Sequence, residues 1–168
     1  MLPLKKVAEL PPFEHSVLPA GNPDSIECDE MWTFVGSKKS PVWIWLSWSY
    51  QTTQTLSFAV GSRDESTGRV MWEAIPRSYS RKQVFTDGYA VYAKLIAWGR
   101  HWVCPKGSGE TNVAEGCNNY LRHRVSYLVR KSSSYARSSV WLYRRLLLVL
   151  FTRNDRIKQA RAKQNKQK

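Results

Sequence analysis

Residues 26–60 fall into three stretches rich in aromatic and β-branched side chains, each closed by turn chemistry. They are 26–35, ended by Gly36-Ser37-Lys38-Lys39; 42–49; and 53–60, ended by Gly61. Connections this short cannot carry a crossover, so the spacing predicts an antiparallel meander. The period then lengthens. Residues 65–75 read as a helix that turns Val70, Met71 and Ile75 inward, with Ser66-Thr67 near its start and Pro76 as its stop. Residues 83–86 form a short strand leading to Asp87-Gly88. Residues 89–98 read as a second helix closed by Gly99, and 101–104 as a fifth strand stopped by Pro105.

After a polar loop over 106–112, Val113, Cys117, Tyr120, Leu121, Val125 and Leu128 recur at helical spacing. The same periodicity puts Glu115, Asn118, Asn119, Arg122 and Ser126 on the opposite stripe. Ser132, Ser133, Ser134 and Ser138 break the pattern, and a last helix runs from about Val140 into a basic, Gln-rich tail expected to fray. The order is three antiparallel strands, then α-β-α-β-α, an α/β mixed sheet with a C-terminal basic helix. Residues 1–24 are Pro-rich and aperiodic, an extended lead-in expected to add little to the core. The predicted division is therefore lead-in 1–24, mixed-sheet domain 25–138, and basic helix and tail 139–168.

Charge changes the picture. Residues 1–119 hold 12 Lys/Arg against 12 Asp/Glu, whereas residues 120–168 hold 14 against the lone Asp155, so the whole formal +13 lies in that last segment. A neutral body with a strongly basic end suits a nucleic-acid binder, because each neutralised phosphate releases condensed counterions; a solvated basic helix and tail is the plainer alternative. A length of 168 residues suits one domain with a real core. Cys28, Cys104 and Cys117 lack Cys-x-x-Cys spacing and read as free, mostly buried thiols of a reducing compartment. The chain opens on charged and Pro-rich residues with no signal-peptide pattern, and the apolar run 146–151 is too short to span a bilayer. The expected location is cytoplasmic and nucleoid-associated, away from any membrane.

Three acids stand where a short chain could aim carboxylates at one point: Asp29 mid-strand, Asp87 at a strand's end, and Glu115 on a helix. Strand alternation sends Glu27 and Asp29 to one face and Cys28 and Glu30 to the other. A carboxylate in a central strand is costly unless something pairs with it, and a metal ion would be such a partner. Mg²⁺ or Mn²⁺ takes oxygen ligands, and two such ions can serve an in-line displacement at phosphorus. Singly, Asp87-Gly88 also suits a plain turn, and Glu115 an exposed acid near a helix start. The run Arg122-His123-Arg124 and then Arg130-Lys131-Ser132 suits phosphate oxygens or, equally, a charged helix face. His15, His101 and His123 show no ligand spacing. No Walker loop, dinucleotide fingerprint or Gly-x-Ser-x-Gly elbow is present.

Three motifs carry a family resemblance: Cys28-Asp29-Glu30-Met31-Trp32-Thr33-Phe34-Val35-Gly36-Ser37-Lys38; Thr86-Asp87-Gly88-Tyr89-Ala90-Val91-Tyr92; and the stretch 111–138. The last includes Glu115, Asn118, Leu121-Arg122, Arg130-Lys131-Ser132 and Ser134-Tyr135-Ala136-Arg137-Ser138. Over residues 25–138 the chain resembles transposases of the insertion-sequence-one group, of the DDE class with a ribonuclease H-like catalytic fold. The resemblance implies that Asp29, Asp87 and Glu115 form the catalytic triad and bind two Mg²⁺ or Mn²⁺ ions. It implies hydrolytic cleavage at transposon ends followed by attack of the freed 3′-hydroxyl on target DNA. Lys38, Asn118, Arg122, Arg130, Lys131 and Arg137 would then contact DNA, with Asn118 and Arg122 also placed to support Glu115. A homo-oligomer on DNA is implied, since two ends are joined. So is a zinc-finger and helix-turn-helix region from an upstream reading frame, as partner or fusion. After Ser138 the chain departs from the family's usual acidic and His-containing ending.

Two other readings stand beside the transposase. One is a ribonuclease H-like nuclease or resolvase that cuts without joining. The other is a non-catalytic DNA-binding remnant that uses the basic tail alone.

Overall fold

The computed structural model describes residues 7–105, 111–129 and 134–166. Its elements follow in chain order: β1 Ser25–Val35, β2 Ser37–Ser49, β3 Thr55–Gly61, α1 Glu65–Glu73, β4 Gln83–Thr86, α2 Tyr92–Leu95, β5 His101–Val103, α3 Asn112–Arg124 and α4 Ser139–Asn165. The five strands form one sheet in the order β3-β2-β1-β4-β5. The β1–β2 and β2–β3 pairs are antiparallel and the β1–β4 and β4–β5 pairs parallel, as the connection lengths require.

Two apolar cores lie on the two faces of the sheet. Ile26, Cys28, Trp45, Met71, Tyr92 and Leu95 pack on the α1/α2 side. Met31, Ile44, Leu46, Cys117, Leu121 and Leu146 pack on the α3/α4 side. Within β1 the alternation is therefore as the sequence implies, with positions 26 and 28 on one face and 31 on the other. α1 begins at an Asp64 cap that accepts from the Thr67 amide, and Gly68 lets it close on the sheet, because a Cβ there would lie 2.9 Å from Leu95 and 3.1 Å from the Trp45 ring.

Several expected boundaries move, each for a local reason. The β1–β2 turn is tighter than 36–39: Gly36 alone, at φ +71°, reverses the chain, and Lys38 and Lys39 already belong to β2. β3 starts at Thr55 because Thr53 sits in the left-handed region, at φ 57°. The second helix shrinks from 89–98 to one turn, Tyr92–Leu95. Ile96 goes extended, at φ −99° and ψ 129°, and enters the α1/α2 core. α3 stops at Arg124, where Val125 turns extended and buried, and Leu128 reaches the core from a 3-10 turn over Ser126–Leu128.

The chain ends are more integrated than their composition suggests. α4 places Leu142, Leu146 and Leu150, four residues apart, against the sheet, and stays helical to Asn165 instead of fraying. Ser138 caps it, accepting from the Trp141 amide at 3.3 Å. In the lead-in, Val17 joins the α1/α2 core and Phe13 meets Phe58 edge-on at 5.4 Å. Asn154, fully buried, ties these parts together: its amide bonds Ser16 Oγ and the Thr55 carbonyl and accepts from the Thr55 amide. All three cysteines are free and buried. Among the described residues no helix is long and apolar enough to cross a membrane.

Candidate active site

β1 and β4 run parallel with Glu27 beside Phe85, so the residues that follow each pairing emerge at the same end of the sheet. Asp29 comes two residues after Glu27 on β1, and Asp87 one residue after the end of β4. Asp87 lies in the turn its sequence suggests: its Oδ1 accepts from the Tyr89 amide at 3.1 Å, and Gly88 takes φ +85°. Gly88 is required twice over, since a Cβ would also meet Val103 Cγ1 at 2.7 Å. Thr86, behind this turn, bonds the His101 ring at 2.7 Å.

The third side of the site is the first turn of α3. Its cap residue Thr111 makes no side-chain capping bond. That role passes to Glu27, fully buried on β1, whose carboxylate accepts from the Ala114 amide at 2.8 Å. One turn further on, Asn118 donates to Asp29 Oδ2 at 2.5 Å. β1 thus fixes α3 at two successive same-face positions, which sets Glu115, exposed in the first turn, at the rim of the same cleft. The cleft has a volume of about 280 Å³, and Asp29, Asp87 and Glu115 all line it, with Cys28, Cys104 and Thr111 among the others.

Electrostatics mark Asp29 out. Burial, with Glu30 and Asp87 nearby, pushes its carboxyl up to about 7 against the pull of the Glu30 amide and Asn118. Burial, and to a lesser degree Glu115, also holds the Glu27 carboxyl above the usual range, although the Ala114 and Val113 amides oppose this. Among the described residues, two buried acceptor oxygens, Glu27 Oε1 and Asn118 Oδ1, have no hydrogen-bond partner. This all-oxygen, anion-rich donor set fits a hard divalent cation. Among the described residues no three His, Cys, Asp or Glu side chains are grouped to hold a single ion.

On the opposite face of β1, Glu30 is a different kind of acid. Arg63 binds its Oε1 through Nη2 at 2.5 Å and Nε at 3.0 Å, and Tyr92 donates to its Oε2 at 2.9 Å. The Arg63 guanidinium lies between two rings, 4.4 Å from the Trp43 centroid and 4.2 Å from that of Tyr89. Tyr89 in turn donates its hydroxyl to the Arg63 carbonyl at 2.8 Å and its amide to Asp87. Sequence reasoning gave no role to Glu27, Glu30, Arg63 or Tyr89 in holding β1 and its neighbours. The acidic run 27–30 inside an aromatic strand was the available signal.

The remaining candidates are dispersed. Asn118 does not lie on an exposed stripe with Glu115, as periodicity suggests; it is 4% exposed, because α3 lies across β1 and covers that position. Arg122 is half-buried on α3. Lys38 and Arg137 are both exposed and come from segments joined at the end of β1, where the Gly36 amide donates to the Ala136 carbonyl at 2.9 Å. Arg130 and Lys131 lie outside the described residues.

Comparison with known families matches residues 25–152 to the IS1 transposase family. The chain belongs to that family. A relative, the InsB protein of insertion element iso-IS1n from Shigella dysenteriae, is 30% identical over 112 residues, which cover 67% of this chain and 82% of the relative. The match runs beyond Ser138, where the motif resemblance ended, and includes the Leu142, Leu146 and Leu150 stripe of this IS1-family chain. A transposase role follows from membership, and with it DNA as the substrate.

Proposed function

We propose that the cleft is the phosphodiester-cutting and -joining site of a DDE transposase built on a ribonuclease H-like sheet, with Asp29, Asp87 and Glu115 as the triad. The observation that supports this most is that three acids far apart in sequence, on β1, after β4 and on α3, line one cleft. The strand order and the parallel β1–β4 pair support the ribonuclease H-like assignment.

Asp29, Asp87 and Glu115 would hold two Mg²⁺ or Mn²⁺ ions, which when bound activate the attacking oxygen and stabilise charge on the leaving one. Asn118 keeps the Asp29 carboxylate aimed across the cleft, and the Asp87 turn fixes the second carboxylate from the opposite wall. Glu115, exposed on the helix, adapts its side chain to the bound phosphate. Because cleavage and strand transfer are the same displacement with water or a 3′-hydroxyl as nucleophile, one site serves both. Lys38, Arg122, Arg130, Lys131 and Arg137 would hold DNA phosphates, with Asn118 near the scissile one. Joining two ends calls for at least two subunits, and an upstream zinc-finger and helix-turn-helix region, in a partner or a fusion, would locate the ends. The protein would act on DNA in the cytoplasm, at the nucleoid.

The test uses pre-cut and uncut transposon-end DNA with Mg²⁺. Asp29→Asn, Asp87→Asn and Glu115→Gln should each abolish nicking and strand transfer while duplex binding persists. Cleavage without joining of pre-cut ends would reassign the chain as a nuclease or resolvase. Activity that survives Asp87→Asn would remove the triad.

A further inference from the structure

β1 is covered along its β4 edge only as far as Glu27, and next meets a parallel bridge between Val35 and Ala136. Between these points no described strand lies on that edge. Along this stretch the side chains on the face of β1 opposite Asp29 end in a row of rings. Trp32 and Phe34, two residues apart and so on one side of the strand, have centroids 5.9 Å apart, and Tyr135 follows at 6.0 Å from Phe34. Trp32 is 41% and Tyr135 44% exposed.

Cations flank the row on both sides. Lys38 and Lys39 are exposed on β2 just beyond the turn, and Arg137 is exposed two residues past Tyr135. The nearest acid on the same face of β1, Glu30, is already neutralised by Arg63. Trp32 lies three residues from Asp29, about 10 Å along the strand, and its side chain is on the other face. Exposed rings flanked by exposed cations match the recognition of unpaired nucleotides, whose bases stack on rings while their phosphates meet Lys and Arg. A duplex keeps its bases stacked inside and gains little from such rings.

We propose that the Trp32–Phe34–Tyr135 row binds single-stranded DNA. This assignment rests on the proposed function for its ligand, DNA, but the stacking itself does not require cleavage.

The experiment measures binding of the full chain to a short labelled oligo(dT) and to a duplex of equal length by fluorescence anisotropy, with chelator present. The Trp32→Ala/Tyr135→Ala variant should lose about 10- to 100-fold in affinity for oligo(dT) and under about threefold for duplex, as expected from removing one or two base stacks. Trp32→Phe should restore most of the loss. Lys38→Ala/Arg137→Ala should lower the salt dependence for both ligands by about one to two counterions. Photocrosslinking of the unmodified protein to a bromodeoxyuridine oligonucleotide should map adducts to Trp32, Phe34 or Tyr135, a readout independent of how the variants fold.

Unchanged oligo(dT) affinity in the double variant, or adducts confined elsewhere, overturns the proposal. So does a loss of self-association with DNA binding intact, which would make the row a protein contact. Mg²⁺-dependent nicking by the unmodified protein is scored separately: nicking with no effect of the ring substitutions sinks only this inference, and a ring effect without nicking sinks only the triad.

Discussion

The carboxylate of Glu27 accepts a hydrogen bond from the Ala114 amide at 2.8 Å, across 87 residues of sequence. A strand residue thus caps the helix that carries Glu115, and does so two positions before Asp29 on the same strand. The separation of Asp29 and Glu115 is held by this link and by the Asn118–Asp29 hydrogen bond.

Replacing Glu27 separates charge from hydrogen bonding. Glu27→Gln keeps an acceptor for the Ala114 amide and removes a carboxylate that burial disfavours, so its stability should stay within about 1 kcal/mol of the parent near neutral pH. Glu27→Leu leaves the amide unpaired in the interior and should cost about 2–3 kcal/mol. Because the folded Glu27 carboxyl titrates above its ordinary value, the stability lost to it grows as pH rises from the unfolded value through the raised one. Glu27→Gln should therefore compare better at pH 8 than at pH 4 in urea denaturation.

Asp29 gives the larger pH effect. Its carboxyl titrates at about 7 when folded, against about 3.9 when unfolded. Between these values the folded protein retains a proton that the unfolded chain has released, so metal-free stability falls as pH rises across that window. Asp29→Asn should raise the metal-free melting temperature at pH 8, by the equivalent of about 2–4 kcal/mol, with no gain at pH 4. Mg²⁺ should stabilise the parent more at pH 8 than at pH 5 and leave Asp29→Asn nearly unaffected, since the cation competes with the proton. Calorimetry across this range with and without Mg²⁺ reads both.

Arg63 is exposed, yet it supports a buried charge. The Glu30 side chain is 1% exposed, and Arg63→Ala would leave it with Tyr92 alone. Removing one partner of such a pair costs about 3–5 kcal/mol when both are buried; with Arg63 40% exposed, about 2–3 kcal/mol is expected. Arg63→Lys keeps the charge but loses the second donor to Glu30 and the flat stacking between Trp43 and Tyr89, and should recover less than half of the loss. Denaturant midpoints for the two variants decide this.

These partners also show what the sequence could and could not reveal. Alternation placed Glu27 and Asp29 on one face of β1 and Glu30 on the other, and the structure has them so, because a two-residue period follows from strand geometry alone. The end of β4 at Thr86 was likewise legible, as a β-branched and aromatic run meeting Asp-Gly. What Glu27 and Glu30 bind was not, since Ala114 and Tyr92 are brought to them only by the crossovers. Asn118 illustrates the same limit: helical periodicity put it with the exposed polar residues, and only the line of α3 across β1 turns its amide onto Asp29. The one-turn α2 fails for a related reason, since burying Ile96 beside Leu95 outweighs the propensity to continue the helix.

The C-terminal helix separates into a structural and an electrostatic part. Leu142, Leu146 and Leu150 each bury a side chain worth about 1.5–3 kcal/mol, and Asn154 satisfies both backbone groups of Thr55. Truncation after Ser138 should therefore give a chain without a cooperative unfolding transition. Asn154→Leu, which leaves the Thr55 amide and carbonyl unpaired, should cost about 3–4 kcal/mol. Beyond Arg161, which donates to the Gln51 carbonyl at 2.6 Å, the described helix is exposed and its cations face solvent. Removing residues 162–168 deletes Lys163, Lys166 and Lys168 and should change stability by less than about 1 kcal/mol, while duplex affinity falls more steeply at low salt than at high. If the short truncation instead unfolded the chain, the basic end would be part of the core's support, and its charge could not be read as a site for phosphate.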